Sequence, residues 1–188
     1  FVFIKKCDQQ LNRKKMSETT DKILLHLYGC YDNGFSSRFK KGLWFPLHLK
    51  LNNVAVRDGI RDLNKRKFIM KKENYDGSVI VSLTEKGRLR ALNLSFKKLY
   101  HIKKEWDGKW RMVAFDIPNH CRKGRNALRY RLKMAGFYKF QESIFLYPYD
   151  CRKEIEDFNE LFRLKKYVRF AIINFIDNEE SVKFNFKL

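Results

Sequence analysis

The sequence predicts an α+β protein of two domains. Three observations carry this prediction. The 188 residues are 44% hydrophobic and 15% aromatic, which is enough to build packed cores. The net charge of +20 is concentrated at the front, since residues 1–104 hold 24 Lys and Arg against 9 Asp and Glu. Two separate apolar patterns predict domains over 17–104 and 109–188, after a basic leader over 1–16.

This charge indicates a polyanionic partner. Residues 105–188 hold 17 Lys and Arg against 12 Asp and Glu, so the strong positive field belongs to the first domain. A charge so far from zero costs self-repulsion, and nucleic acid is the partner that offsets it. No apolar run is long enough to span a membrane, so we expect no membrane partner.

The cysteines indicate a cytoplasmic protein with reduced thiols. The opening FVFIKK is too short in its apolar part for a signal peptide. No CxxC pair occurs, which argues against a zinc site. The scattered cysteines are Cys7, Cys30, Cys121 and Cys151.

A helix follows the capping residues Ser17 or Thr20. Its apolar face consists of Ile23, Leu24, Leu27 and Tyr28. After a stretch in which we expect a short helix, a second helix begins near Asn52 or Asn53. Its buried stripe is Val56, Ile60 and Leu63. The polar positions off this stripe are Asn53, Arg57, Arg61 and Lys65, which form either a solvated basic face or a DNA-binding face.

The next stretch, KFIMKKENYDGSVIVSL, alternates apolar and polar residues around Asp76-Gly77, which predicts a β-hairpin. LTEKGRLRAL then predicts a helix capped by Thr84. Helix, basic helix, hairpin and helix is the order of a winged helix-turn-helix, and LNKRKFI with LTEKG resembles that family's consensus. In such a fold Arg57 or Arg61 would read guanine in the major groove of double-stranded DNA. Lys71, Lys72 and Asn74 would meet phosphate or the minor groove.

The second domain follows EWDGKW, which we interpret as a polar hinge. The apolar periods predict strand 111–117, helix 122–135, two strands within 137–150, helix 151–164 and strand 167–176. The order β-α-β-β-α-β is that of a ferredoxin-like fold. The outer face of the first of these helices carries Arg122, Arg125, Arg129 and Lys133. The three arginines are further candidates for binding DNA.

Two families resemble this domain. MVAFDIP and GFYKFQESIFLYPYD are similar to the Cas-two family of CRISPR-associated endonucleases. The phrases FDIP, FYKFQESIF and YPYDC are closer still to the phenylacetic-acid repressor (PaaX) family. That family joins a winged helix to a Cas-two-like domain. The resemblance implies a homodimer formed through the ferredoxin-like domain.

Asp116 is the candidate catalytic and metal-binding residue. In the Cas-two family the matching aspartate meets its symmetry mate, and this resemblance implies that paired Asp116 carboxylates bind Mg²⁺ or Mn²⁺ for phosphodiester hydrolysis. The alternative is structural, with the carboxylate accepting backbone N–H bonds in the turn before Pro118. Three functions remain open: a transcription regulator needing no cofactor to bind DNA, a metal-dependent endonuclease, and a CRISPR spacer-acquisition scaffold with an integrase partner. We favour the regulator.

Overall fold

The computed structural model describes residues 16–31, 37–39, 53–76, 79–102 and 105–188. The chain divides into two compact units, residues 1–94 (unit 1) and 95–188 (unit 2). Among the described residues, no helix has the length and apolarity needed to cross a bilayer. Apart from Met16, which is buried, the predicted basic leader lies outside the described residues.

Unit 1 contains helices on a small antiparallel sheet. The sheet has three strands in the order β1-β3-β2, and β2 and β3 form the predicted hairpin. The stretch in which a short helix was expected contributes the short strand β1, and the rest of it lies outside the described residues. The elements are α1 (Glu18–Tyr31), β1 (Ser37–Phe39), α2 (Asn53–Lys65), β2 (Ile69–Glu73), β3 (Val79–Leu83) and α3 (Glu85–Leu99), whose residues 95–99 belong to unit 2.

The apolar stripes predicted for α1 and α2 are confirmed. Ser17 caps α1, since its Oγ accepts a 3.2 Å hydrogen bond from the Thr20 backbone N–H. Burial of the stripes removes apolar surface from water and provides the main stabilisation of the unit. The buried stripe residues are Ile23, Leu24, Leu27, Tyr28, Val56, Ile60 and Leu63.

The LTEKG motif joins α3 to the base of the hairpin. Thr84 caps α3 as predicted, because its Oγ1 accepts a 3.1 Å bond from the Gly87 N–H. The same hydroxyl donates to the carbonyl of Lys67 at 2.8 Å, and the Thr84 N–H donates to the carbonyl of Phe68 at 3.0 Å. A Cβ on Gly87 would lie 1.9 Å from that Phe68 oxygen, so only glycine fits there.

Unit 2 confirms the predicted β-α-β-β-α-β order. Its four-stranded sheet has the order β5-β6-β4-β7 with antiparallel neighbours, as in a ferredoxin-like sandwich. A short 3₁₀ turn, Asn119–Cys121, precedes α4. The elements are β4 (Trp110–Phe115), α4 (Arg122–Met134), β5 (Tyr138–Gln141), β6 (Ile144–Tyr147), α5 (Arg152–Leu161), β7 (Val168–Ile173) and α6 (Glu179–Phe186).

Helix α6 was not predicted. It follows a last strand that ends at Ile173, three residues earlier than expected. Val182 of α6 and Ile176 pack into a buried cluster with Trp110 and Leu146. The Trp110 indole N–H donates a 2.9 Å hydrogen bond to the Glu179 carboxylate, which fixes the start of α6.

The EWDGKW stretch is a folded part of unit 2 and not a free hinge. Asp107 accepts two bonds, of 2.6 and 2.7 Å, from the guanidinium of the buried Arg111. This hydrogen bonding lowers the pKa of Asp107 to about 2, so the pair stays ionised well into the acid range. Trp106 packs against Trp110, with ring centroids 4.7 Å apart and the ring planes tilted by 46°. The domain boundary over these residues stays a prediction.

Candidate nucleic-acid interface

Helix α2 presents an exposed cationic face opposite its buried stripe. Arg57, Arg61 and Lys65 are all exposed and lie one helical turn apart. Asn53 begins the helix, and its side chain lies outside the described residues. The helix is seated on α1 by Gly59, where a Cβ would lie 2.6 Å from Ile23 Cδ1. The face is therefore held rigidly while its side chains remain accessible.

Acidic neighbours on α2 hold its cations only weakly. Arg61 pairs with Asp58 at 3.3 Å, and both side chains are largely exposed. Arg66, just beyond the helix, pairs with Asp62 at 3.3 Å. An exposed ion pair contributes only about 0–1 kcal/mol. Little free energy is therefore needed to release Arg61 to a phosphate or a base.

The hairpin carries the second group of candidate residues. Strand β2 lies at the edge of the sheet, and Lys71 and Lys72 on it are exposed. Lys72 pairs in register with Ile80 on the outer face of the hairpin, and Lys71 pairs with the buried Val81. Asn74 is half-buried at the end of β2. The structure thus brings α2 and the two lysines together in unit 1.

Three exposed apolar side chains in unit 1 were missed by the sequence reasoning. Val54 is 56% exposed in the first turn of α2, and Met70 is 58% exposed on β2. Tyr75, in the turn between β2 and β3, is 113% exposed, so its ring projects fully into solvent. Hydrophobic periodicity assigns apolar residues of helices and strands to the core and says nothing about turns. It therefore could not identify these three side chains as exposed.

The arginines of α4 are mainly engaged within unit 2. Arg125 donates to the carbonyl of Ile117 at 3.0 Å and to Asn119 Oδ1 at 3.2 Å. Arg129 donates to the carbonyl of Glu142 at 2.8 Å. These bonds hold the segment that follows Asp116 and the turn between β5 and β6, which lies near Asp116. Of the predicted DNA-binding residues on α4, Arg122 is exposed, and no ion pair joins it to another described residue.

Asp116 lies just beyond the end of β4, and its side chain is exposed. Its backbone N–H donates to the Tyr167 carbonyl at 3.0 Å. Within the part of the chain that the structure describes, the carboxylate itself has no hydrogen bond or ion pair. The expectation that it accepts backbone N–H bonds in the turn before Pro118 was therefore wrong, since the Asp116 N–H continues the pairing of β4 with β7 and the carboxylate accepts no bond.

The carboxylate borders an open groove of about 690 Å³ at the end of the sheet. Charged side chains of both signs line the groove, including Glu142, Lys166 and Arg169. Among the described residues, no three His, Cys, Asp or Glu side chains are grouped as metal ligands. Glu142, the other carboxylate in the groove, pairs with Lys139 and Arg129, so Asp116 is the unpaired carboxylate among the groove's described residues. Mg²⁺ is usually held by one or two carboxylates together with waters and substrate phosphates, and a second subunit could supply the second carboxylate.

The comparisons with known proteins agree with the topology of unit 2. Residues 103–184 match the family model of the PaaX protein central Cas2-like domain. The match supports a relationship to the PaaX family, and it covers the whole β-α-β-β-α-β unit together with most of α6. The Cas2-like domain thus includes the Asp116 groove and the arginines of α4. None of the curated proteins matches the chain.

Proposed function

We propose that this protein is a homodimeric, double-stranded-DNA-binding transcription regulator of the PaaX type. Unit 1 would be a winged helix-turn-helix, and the Cas2-like domain would pair the subunits. The observation that carries the proposal is the exposed cationic face of α2 beside a lysine-bearing hairpin. The match of residues 103–184 to a PaaX domain supports the regulatory role.

Helix α2 and the hairpin would contribute differently to DNA binding. An α-helix fits the major groove, where an arginine can donate two hydrogen bonds to guanine O6 and N7. We assign this role to Arg57 and Arg61. Lys65, Lys71 and Lys72 would neutralise phosphates, which provides affinity without reading sequence. A two-fold dimer would present two copies of α2 to two half-sites of an operator. No cofactor is required for such binding.

Duplex affinity should fall steeply as salt rises. Each neutralised phosphate releases condensed counterions, so the logarithm of the binding constant falls by about 0.9 per contact for each unit of log salt concentration. Fluorescence anisotropy with a labelled duplex at a series of NaCl concentrations measures this slope. An affinity independent of salt, or no binding at low salt, contradicts the proposal.

A metal-dependent endonuclease is the second candidate, and the free Asp116 carboxylate favours it. Two such carboxylates brought together by a dimer, with waters, would suit Mg²⁺ or Mn²⁺. In a nuclease, Arg125 and Arg129 would help to position Asp116, since they hold the chain segments beside it. A CRISPR spacer-acquisition scaffold with an integrase partner is a third role, and no feature of the described residues favours it.

Asp116→Ala separates the regulator from the nuclease. For a regulator we expect unchanged duplex affinity and a change in unfolding free energy within about 0.5 kcal/mol, because the carboxylate is exposed and unbonded. Plasmid and oligonucleotides incubated with the wild type and Mg²⁺ or Mn²⁺ should stay intact. Cleavage that needs the metal and disappears in Asp116→Ala would instead establish the nuclease. A metal-dependent rise in melting temperature confined to the wild type would support the same conclusion.

A further inference from the structure

The tip of the hairpin is built differently from the rest of the cationic surface. Residues 74–76, which follow β2 at the tip, include one acid, Asp76, and no cation, whereas Lys71 and Lys72 lie on the strand itself. Coulomb attraction to DNA is therefore weak at the tip. What the tip offers instead is the Tyr75 ring, which is fully exposed.

The exposed apolar side chains of unit 1 are not scattered. Among its residues with described side chains, the large apolar ones that are exposed are Val54, Met70 and Tyr75. All three lie on α2 or on the hairpin, which are also the elements that carry the candidate DNA contacts. By contrast, the part of α3 in unit 1 and the described part of α1 bury their large apolar residues at least partly.

Exposed apolar groups gain free energy only when a partner covers them. The partner of this surface, under the proposed function, is duplex DNA. The minor groove is about 6 Å wide, which admits a turn but excludes a helix. Proteins that bind there insert apolar wedges between base steps, unstack the bases and bend the duplex. An aromatic ring suits this role because every base offers a face on which it can stack.

We propose that the Tyr75 ring is a wedge that inserts between base pairs from the minor groove. The inference rests on the proposed DNA-binding function and deepens it. The cations of α2 and the hairpin would bring the protein to the phosphates, and Tyr75 would add a contact that does not depend on salt. Pyrimidine–purine steps such as TA unstack most easily, so they are the expected insertion sites.

The test compares Tyr75→Ala, Tyr75→Phe and Lys72→Ala with the wild type on a labelled duplex rich in TA steps. Tyr75→Ala should weaken binding about tenfold while leaving the salt slope unchanged, because the ring neutralises no phosphate. Tyr75→Phe should bind like the wild type, since the ring and not the hydroxyl inserts. Lys72→Ala should instead reduce the salt slope by about 0.9. Tyr130→Ala is the matched control, because Tyr130 is an exposed tyrosine (60%) on unit 2.

Energy transfer between dyes at the two ends of the duplex reports the bend. The wild type should shorten this distance, and Tyr75→Ala should not. Equal affinity or equal bending for wild type and Tyr75→Ala would overturn the wedge while leaving duplex binding intact. A loss in Tyr75→Phe as large as in Tyr75→Ala would also overturn it, since the contact would then be a hydroxyl bond. If the wild type does not bind any duplex, the proposed function itself fails.

Discussion

Gly87→Ala should unfold or severely destabilise unit 1. The added methyl group would lie 1.9 Å from the carbonyl oxygen of Phe68, far inside van der Waals contact. This oxygen cannot retreat cheaply, because it accepts a 3.0 Å hydrogen bond from the Thr84 N–H. We expect a loss of about 4 kcal/mol or more in the free energy of unfolding, which only severe packing conflicts produce. Urea unfolding followed by circular dichroism measures it.

Gly29→Ala is the control for this experiment. Gly29 lies in α1, and a Cβ there would meet nothing within 4 Å. Alanine is favoured over glycine inside a helix by about 0.5–1 kcal/mol, so this variant should be slightly more stable than the wild type. If Gly87→Ala behaves like Gly29→Ala, the close approach of α3 to the hairpin is incorrect. We expect Gly87→Ala to lose duplex binding together with its stability, and Gly29→Ala to retain duplex binding.

The Gly87 contact also explains why the sequence was informative at this point. The consensus L-T-x-x-G carries a local cap, from Thr84 to the Gly87 N–H, and places the glycine where α3 approaches Phe68. Likewise Val56, Ile60 and Leu63 repeat at the helical period, so their common face follows from spacing alone. The topology of unit 2 followed from the same type of pattern, since its strands and helices are short, regular and separated by clear breaks.

Long-range partners account for what the sequence did not reveal. The guanidinium groups of Arg125 and Arg129 bind carbonyls of Ile117 and Glu142, and only the folded chain brings these groups together. A polar stretch such as EWDGKW predicts a hinge until Arg111 is known to hold Asp107. Helix α6 was missed because its single buried residue, Val182, gives no period.

At Asp116 the local sequence pattern predicted hydrogen bonds of the side chain that the structure does not contain. An aspartate two residues before a proline is typical of a turn in which the carboxylate accepts backbone N–H bonds. In the structure the backbone N–H of Asp116 donates to the Tyr167 carbonyl and so continues the pairing of β4 with β7, and the side chain is left exposed. The residue thus retains the freedom that metal binding would need. Its presence does not by itself imply catalysis, because a Mg²⁺ site needs further ligands that this one carboxylate does not supply.

Loss of base discrimination is the second large effect that we expect, and it concerns α2. Arg57→Ala and Arg61→Ala should each flatten the base preference at one operator position by about 1–3 kcal/mol. Releasing Arg61 from Asp58 costs little, because their 3.3 Å pair is exposed. Binding to a pool of randomised duplexes, followed by sequencing of the bound fraction, measures the preference at every position.

Lys65→Ala provides the comparison on the same helix face. Lysine is a point charge suited to phosphate, so its removal should weaken all duplexes alike and reduce the salt slope by about 1. A sequence-blind loss from all three variants would mean that α2 anchors the protein without reading DNA. The opposite pattern, in which Arg57 and Arg61 control different positions, would fix the orientation of α2 in the major groove. The spacing of those two positions then gives the register, since the two arginines are four residues, about 6 Å, apart along the helix.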